Sequence, residues 1–228
     1  GLGATGGGSF SENVNTGAGG NGFGAGCCCG GAIGNNVNAG CTGDGDDIGY
    51  AVRIGIDQRR GWIVGGLLIE ASMTDAVDSE TGFSSTPASY TFARQVDNSI
   101  AARGRLGISP GDGRGLLYAT GGIAYADIDR AFTTPNTANT FTLDEDGDDR
   151  VWGWQGGGGA EFVLGGGLTL GLEYLYTRYK DDDAFVAVGA GTASATNPFL
   201  LSGGGANLRP ADSHLDLHSF RVTAGLQF

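Results

Sequence analysis

Charge is the scarcest ingredient of this sequence: 17% of its 228 residues are Asp, Glu, Lys or Arg, fewer than a soluble domain usually spreads over its surface. Lysine and arginine together number 13 against 25 aspartates and glutamates, a net charge of −12. The clustered cations that a phosphate backbone demands are therefore lacking, which excludes nucleic acid as a partner. No apolar run approaches the roughly 18 residues a membrane helix needs, and this excludes a helical membrane protein. A basic, apolar leader is also lacking at Gly1, so an exported form would already have lost its signal peptide. No linker divides the chain, and residues 1–228 are expected to form one domain.

What the sequence does have is glycine, 46 residues of it, and alternation. Counting back from the last residue, Phe228, Leu226, Ala224, Val222 and Phe220 alternate with Gln227, Gly225, Thr223, Arg221 and Ser219. This period of two marks a strand with one apolar and one polar face. Residues 48–57 repeat the pattern, with Ile48, Tyr50, Val52, Ile54 and Ile56 set against Gly49, Ala51, Arg53, Gly55 and Asp57. Segments 94–108, 148–164 and 168–179 alternate in the same way, 62–75 is apolar on both faces except for Glu70, and in 115–130 both phases carry apolar residues and the outward face is not fixed. Residues 1–13 supply a glycine-rich first strand.

The connections between these strands alternate in length. Residues 14–46, 76–93, 131–147 and 180–212 read as long polar loops, and 58–61, 109–114 and 165–167 as tight turns. That rhythm belongs to an all-β, eight-stranded antiparallel up-and-down transmembrane β-barrel with four long extracellular loops, three short periplasmic turns and both termini periplasmic. A soluble eight-stranded barrel shares the meander. It would have to fill its interior with Ile, Leu, Tyr and Trp and solubilise its outside with Arg53, Glu70, Arg103, Arg105, Glu161, Glu173 and Arg221, which are too few. Turned inward, the same four arginines and three glutamates neutralise one another as a barrel-interior charge network. Glycine, alanine, serine and threonine fill the rest of the narrow lumen. Trp62 and Phe228 then fall at the short-turn end and Tyr50, Trp152, Trp154, Tyr174, Tyr176 and Tyr179 toward the long-loop end, as two interfacial girdles.

The four cysteines, Cys27, Cys28, Cys29 and Cys41, all lie in the 14–46 loop. An even count suits disulfides that staple this loop; the competing zinc reading lacks paired CxxC units and a nearby histidine. Asp144, Asp146 and Asp148 alternate around a glycine and are candidate ligands for Ca2+ or Mg2+, although the closing Glu of a full calcium loop is missing. A solvated acidic rim, with residues 44–47 and 181–183, is the competing reading, and no other cofactor is expected. Asp212, Ser213 and His214 are the residue types of a nucleophilic site, but neighbours on a strand point to opposite faces, so no catalytic residues and no enzyme activity are expected. The glycine runs 156–159 and 203–205 lack the Lys-Ser/Thr of a phosphate loop. Along a strand such glycines allow close approach by a neighbour or a second protomer.

Four stretches carry a resemblance: LYATGGIAY at 117–125, WQGGGGAEF at 154–162, LTLGLEYLY at 168–176 and RVTAGLQF at 221–228. In these the chain resembles the small eight-stranded outer-membrane barrels related to the transmembrane domain of outer-membrane protein A, particularly the porin-like surface antigens. The resemblance implies a bacterial outer-membrane location, with outer-membrane lipid and lipopolysaccharide around the barrel. It also implies that Phe220, Val222, Leu226 and Phe228 form a terminal signal read by the outer-membrane assembly machinery. The cysteine-bearing first loop departs from the family pattern. The expected role is structural or in surface recognition through the extracellular loops, as a homo-oligomer or lattice; the alternative is a narrow pore for ions or small polar solutes.

Overall fold

The computed structural model describes residues 2–7, 15–16, 23–24, 31–42, 47–84, 88–111, 113–144, 149–181, 184–197, 199–200, 206–210 and 214–227. Among these residues eight strands build a wall: β1 (Leu2–Gly7), β2 (Asp47–Arg60), β3 (Ile63–Met73), β4 (Ala88–Ile108), β5 (Gly115–Thr133), β6 (Arg150–Gly165), β7 (Leu168–Lys180) and β8 (His214–Leu226). Each pairs antiparallel with the next. β8 returns to β1, with Leu2 opposite Ala224, and the sheet closes on itself. Closure removes the sheet edges, the condition under which strands satisfy their backbone in a hydrocarbon medium. The three tight turns depend on glycine in the left-handed region: Gly61 at φ 65, Gly111 and Gly113 at 66 and 80, and Gly166 and Gly167 at 59 and 81.

The apolar phase of every alternating strand faces outward. Ile54 is 76% exposed and Phe220 72%, and around them lie Val52, Leu67, Ile69, Ile100, Leu106, Leu117, Leu172 and Leu226, all exposed. So wide an apolar belt matches lipid rather than water. On β4 it covers residues 100–108, about the nine to eleven residues that span a bilayer as a tilted strand, and on β7 it covers 168–174 with Tyr176 half-buried at its border. Toward the long-loop end an aromatic row borders the belt, with Tyr125 and Trp152 rings 4.7 Å apart, Trp154 and Tyr176 5.2 Å and Tyr174 and Phe220 5.1 Å. Tyr179 does not join this row. It is 2% exposed, packed inside the barrel, because β7 places its odd-numbered residues inward. On β5 the ambiguity resolves with Leu117 and Ile123 outward and Tyr118, Thr120, Ala124 and Ala126 inward. Arginine at Leu67, which pairs with Gly104 at the centre of this belt, is expected to cost about 2–4 kcal/mol, checked by urea unfolding in lipid vesicles.

The interior is layered, and β4 crosses every layer. Arg105 and Arg103 belong to an ion network, Ala101 and Ser99 to a layer of small residues, and Val96 to an apolar plug with Ile128, Val151, Tyr179, Leu215 and Leu217. Beyond the plug, Arg94 enters a second ion network and Phe92, Tyr90 and Ala88 a second apolar core. The inward phase switches from odd to even between Ser99 and Val96, where the β4–β5 register shifts. A bulge adds one residue to one strand, and a one-residue slip exchanges the two faces.

The segments read as loops hold further strands. Val77–Ser84 forms a hairpin with the outer half of β4, pairing Val77 with Gln95 and Ser84 with Ala88. Phe23–Gly24 of the first loop lies on its other side. A separate four-stranded sheet, in the order Asn15–Thr16, Ala206–Arg209, Phe185–Gly189, Thr140–Asp144, draws on the first, third and fourth loops. Among the described residues, the 76–93 segment thus holds Val77–Ser84 and the start of β4, and the 180–212 segment holds Phe185–Gly189 and Ala206–Arg209.

Candidate functional site

Two ion networks and a loop-built cap distinguish this barrel. In the inner network, Glu173 of β7 accepts from Arg103 Nη1 at 3.1 Å, Arg53 Nη1 at 3.3 Å and the Tyr118 hydroxyl at 2.8 Å. Arg103 also reaches Glu70 at 2.6 Å, and Arg221 pairs with the same carboxylate. On the side of the tight turns, Arg53 meets Glu161 at 2.6 Å and Arg105 meets it at 3.0 Å. Arg105 is completed by Asp57, its Nε lying 2.7 Å from Oδ1. The seven charged residues marked by alternation therefore lie together inside the wall, joined by Asp57 and Tyr118, which the sequence reading did not select.

Asp57 brings the count to four arginines and four carboxylates, so the network is neutral. Neutrality matters because Arg103, Glu70 and Glu173 are all but fully buried, where an uncompensated charge is costly. Two glycines make room for it. A Cβ on Gly66 would collide with the Asp57 carboxylate, and one on Gly159 would lie 2.8 Å from the Tyr118 hydroxyl.

The second network sits on the other side of the apolar plug. Arg94 Nε donates to Asp78 Oδ2 at 3.2 Å, and the guanidinium lies 3.9 Å from Glu80 and 3.8 Å from Asp181. Arg130 donates to Asp181 Oδ1 at 2.7 Å and reaches Asp149 at 3.5 Å. These pairs tie the Val77–Ser84 strand, β4 and β5 to residue 181 at the end of β7. Asp181 is 6% exposed, which corrects its placement on a solvated rim.

Above this network, Val186, Val188, Leu208, Tyr90, Phe92 and Phe199 form a buried core, with Phe132, Phe141 and Leu143 packed against it. The Tyr90 ring lies 5.6 Å from Phe199 and 5.8 Å from Phe141. Asparagines fasten the rim: Asn136 donates to the Tyr90 hydroxyl at 2.9 Å, Asn197 to Asn139 Oδ1 at 3.1 Å and Asn139 to the Gly189 carbonyl at 3.1 Å. Segments far apart in sequence thus share one folded unit.

The remaining sequence-marked residues are placed as follows. Phe220, Val222 and Leu226 point outward from β8, and Phe228 lies outside the described residues. Cys41 is bridged through its backbone to Ala32; Cys27, Cys28 and Cys29 lie outside the described residues. So do Asp146, Asp148, Asp212 and Ser213, while Asp144 ends the Thr140–Asp144 strand. Among the described residues no group of three His, Cys, Asp or Glu is arranged to hold a metal ion.

Comparison with known proteins agrees with this architecture. A family model described as "Outer membrane protein beta-barrel domain" matches residues 2–228. Over 75 residues the chain is 39% identical to proteins named "31 kDa outer-membrane immunogenic protein" from Brucella melitensis biotype 1 and Brucella suis biovar 1. In each case the match covers 33% of this chain and 30% of the relative, so it speaks for part of either protein. A closed antiparallel sheet with an apolar outer belt, matched from residue 2 to residue 228, places this chain in the outer-membrane protein β-barrel domain family.

Proposed function

We propose that this protein is a non-conducting outer-membrane barrel that displays its folded cap at the cell surface for recognition, without enzyme activity. The loops face the exterior, and the tight turns and both termini face the periplasm. The observation that carries this reading is the cap itself: a sheet drawn from three loops, with its own buried core, stands over a lumen occupied by two ion networks and an apolar plug. A pore would need a continuous polar path, whereas Val96, Ile128, Leu175 and Leu215 are at most 1% exposed inside the wall. The relatives named as immunogenic outer-membrane proteins suit a surface-displayed structure of this kind. In planar bilayers the purified protein is expected to give no steady channels. Regular single-channel steps that vanish when the lumen is occluded would overturn the reading and favour transport.

Disulfides among Cys27, Cys28, Cys29 and Cys41 would staple the first loop. Within this loop Gly31 N donates to Thr42 Oγ1 at 3.0 Å and the Ala32–Cys41 bridge holds residues 32–41 as a small closed turn. Reductant is expected to leave the barrel intact and to speed protease cleavage within residues 14–46. Outer-membrane lipid and lipopolysaccharide surround the apolar belt, and the β8 residues Phe220, Val222 and Leu226, with Phe228, serve as the signal for the assembly machinery. Outward glycines in register, Gly104 beside Gly121 and Gly121 beside Gly156, suit a homo-oligomer or lattice. Ca2+ or Mg2+ at Asp144, Asp146 and Asp148 would add cross-links at the cap.

A further inference from the structure

Where the inner ion network meets the apolar plug, the lumen holds a cavity of about 20 Å3. One water molecule needs roughly 10–15 Å3, so the space takes a water and no organic ligand. Thr177 and Ser219 bring hydroxyls to its wall, and Val96 and Leu217 of the plug form an apolar side. Two other lining groups say what it binds. Gln155, set on β6 between Gly122 of β5 and Thr177 of β7, is 4% exposed, and its Oε1 has no hydrogen-bond partner among the described residues. Arg221 of β8 is 6% exposed; its Nη1 pairs with Glu70 and Glu173, while its Nε is also without a partner among the described residues.

One of these buried atoms is an acceptor and the other a donor, and leaving either unmet is costly. A single ligand that serves both must donate to the amide oxygen and accept from the guanidinium N–H. Water does both. A cation would face the Arg221 guanidinium, and an anion would leave the amide oxygen unmet. The charge of Arg221 is already met by carboxylates, so the ligand completes hydrogen bonds and no ion is called for. The nearby hydroxyls of Ser72 and Ser99 bond each other at 2.6 Å, which leaves the bridge to Gln155 and Arg221. We infer that this cavity binds one structural water molecule, which donates to Gln155 Oε1 and accepts from Arg221 Nε. The bridge ties β6 to β8 through the lumen and fixes the Arg221 guanidinium beside its pairs with Glu70 and Glu173. A water held in this way belongs to the packed interior and is distinct from bulk solvent, which would screen the network.

The test is a crystal structure of the full chain, refolded in detergent and crystallised from a bromide-containing buffer. One solvent peak is expected within hydrogen-bonding distance of both Gln155 Oε1 and Arg221 Nε, with no anomalous bromide signal there. In the Gln155→Leu variant, whose folding heat-modifiable gel migration verifies, that peak should be lost. If leucine prevents folding, Gln155→Met takes its place with the same expected loss, and the parent structure decides occupancy by itself. A direct Gln155–Arg221 bond with no solvent peak, a bromide signal at the site, or a peak that stays in place in the variant would each overturn the proposal.

Discussion

Glu173→Gln is expected to destabilise the barrel by about 3–5 kcal/mol, the cost of removing one partner from a buried ion pair. Glu173 faces Arg53, Arg103 and Arg221 at once, and its side chain has no exposed surface. Glutamine keeps the shape and can still accept from the Tyr118 hydroxyl. It leaves four arginines with three carboxylates in a space where water cannot screen the excess. Glu161→Gln is the useful contrast. That side chain is 13% exposed, on the side of the tight turns, so solvent relieves part of the imbalance and the cost should be smaller. Urea unfolding in lipid vesicles, followed by tryptophan fluorescence, measures both. A loss below about 1 kcal/mol for Glu173→Gln, as for a solvated pair, would mean that water reaches the network, and the sealed interior would have to be abandoned.

Val186→Asp is expected to open the cap while leaving the barrel closed. Val186 has no exposed surface, and its strand pairs with Leu143 on one side and Leu208 on the other. A carboxylate there has no cation within the core and would cost several kcal/mol, on the order of the whole stability of so small a unit. Regions of one protein open independently when few contacts couple them. Cap strands and wall strands belong to different sheets that meet at one core, Val186, Val188 and Leu208 with Tyr90 and Phe92 of β4, while the rest of the wall is closed by its own ladders. Limited proteolysis should therefore cut the variant within residues 134–144 and 184–209 at least tenfold faster than the parent. The heat-modifiable gel shift of the wall should persist. Loss of that shift would show that cap and barrel unfold as one unit.

The wall was legible because alternation is a direct consequence of strand geometry, and it survives wherever one face meets lipid and the other a narrow lumen. Arg53, Glu70, Arg103, Arg105, Glu161, Glu173 and Arg221 stood out for the same reason: each interrupts small residues on the inward phase. Asp57 was on that phase too, opposite Ile56, and charge balance within the network was the signal that could have found it. Arg94 could not be found this way. It shares the even phase of the outward Ile100 and Leu106, and only the shift between Val96 and Ser99 turns it inward. No residue type in that stretch announces the extra position.

The cap was hidden for a different reason. Its strands are short, Phe185–Gly189 and Ala206–Arg209 among them, and their partners lie in other loops. Local pattern gives no access to pairings of that kind. Val186 and Val188 did alternate with Phe185 and Ala187, but the apolar stretch is too short to distinguish a strand from a turn. Asp181 reads as part of a solvated rim, whereas it is buried against Arg130.

The long loops fold into one cap rather than standing as independent loops, and amide hydrogen exchange of the protein in lipid bilayers tests this most directly. Amides of Thr140–Asp144, Phe185–Gly189 and Ala206–Arg209 should be protected at least a hundredfold over unstructured chain, below the protection of the wall but well above that of free loops. Exchange of those three segments at unstructured rates, beside a protected wall, would contradict the cap and with it the sealed long-loop end.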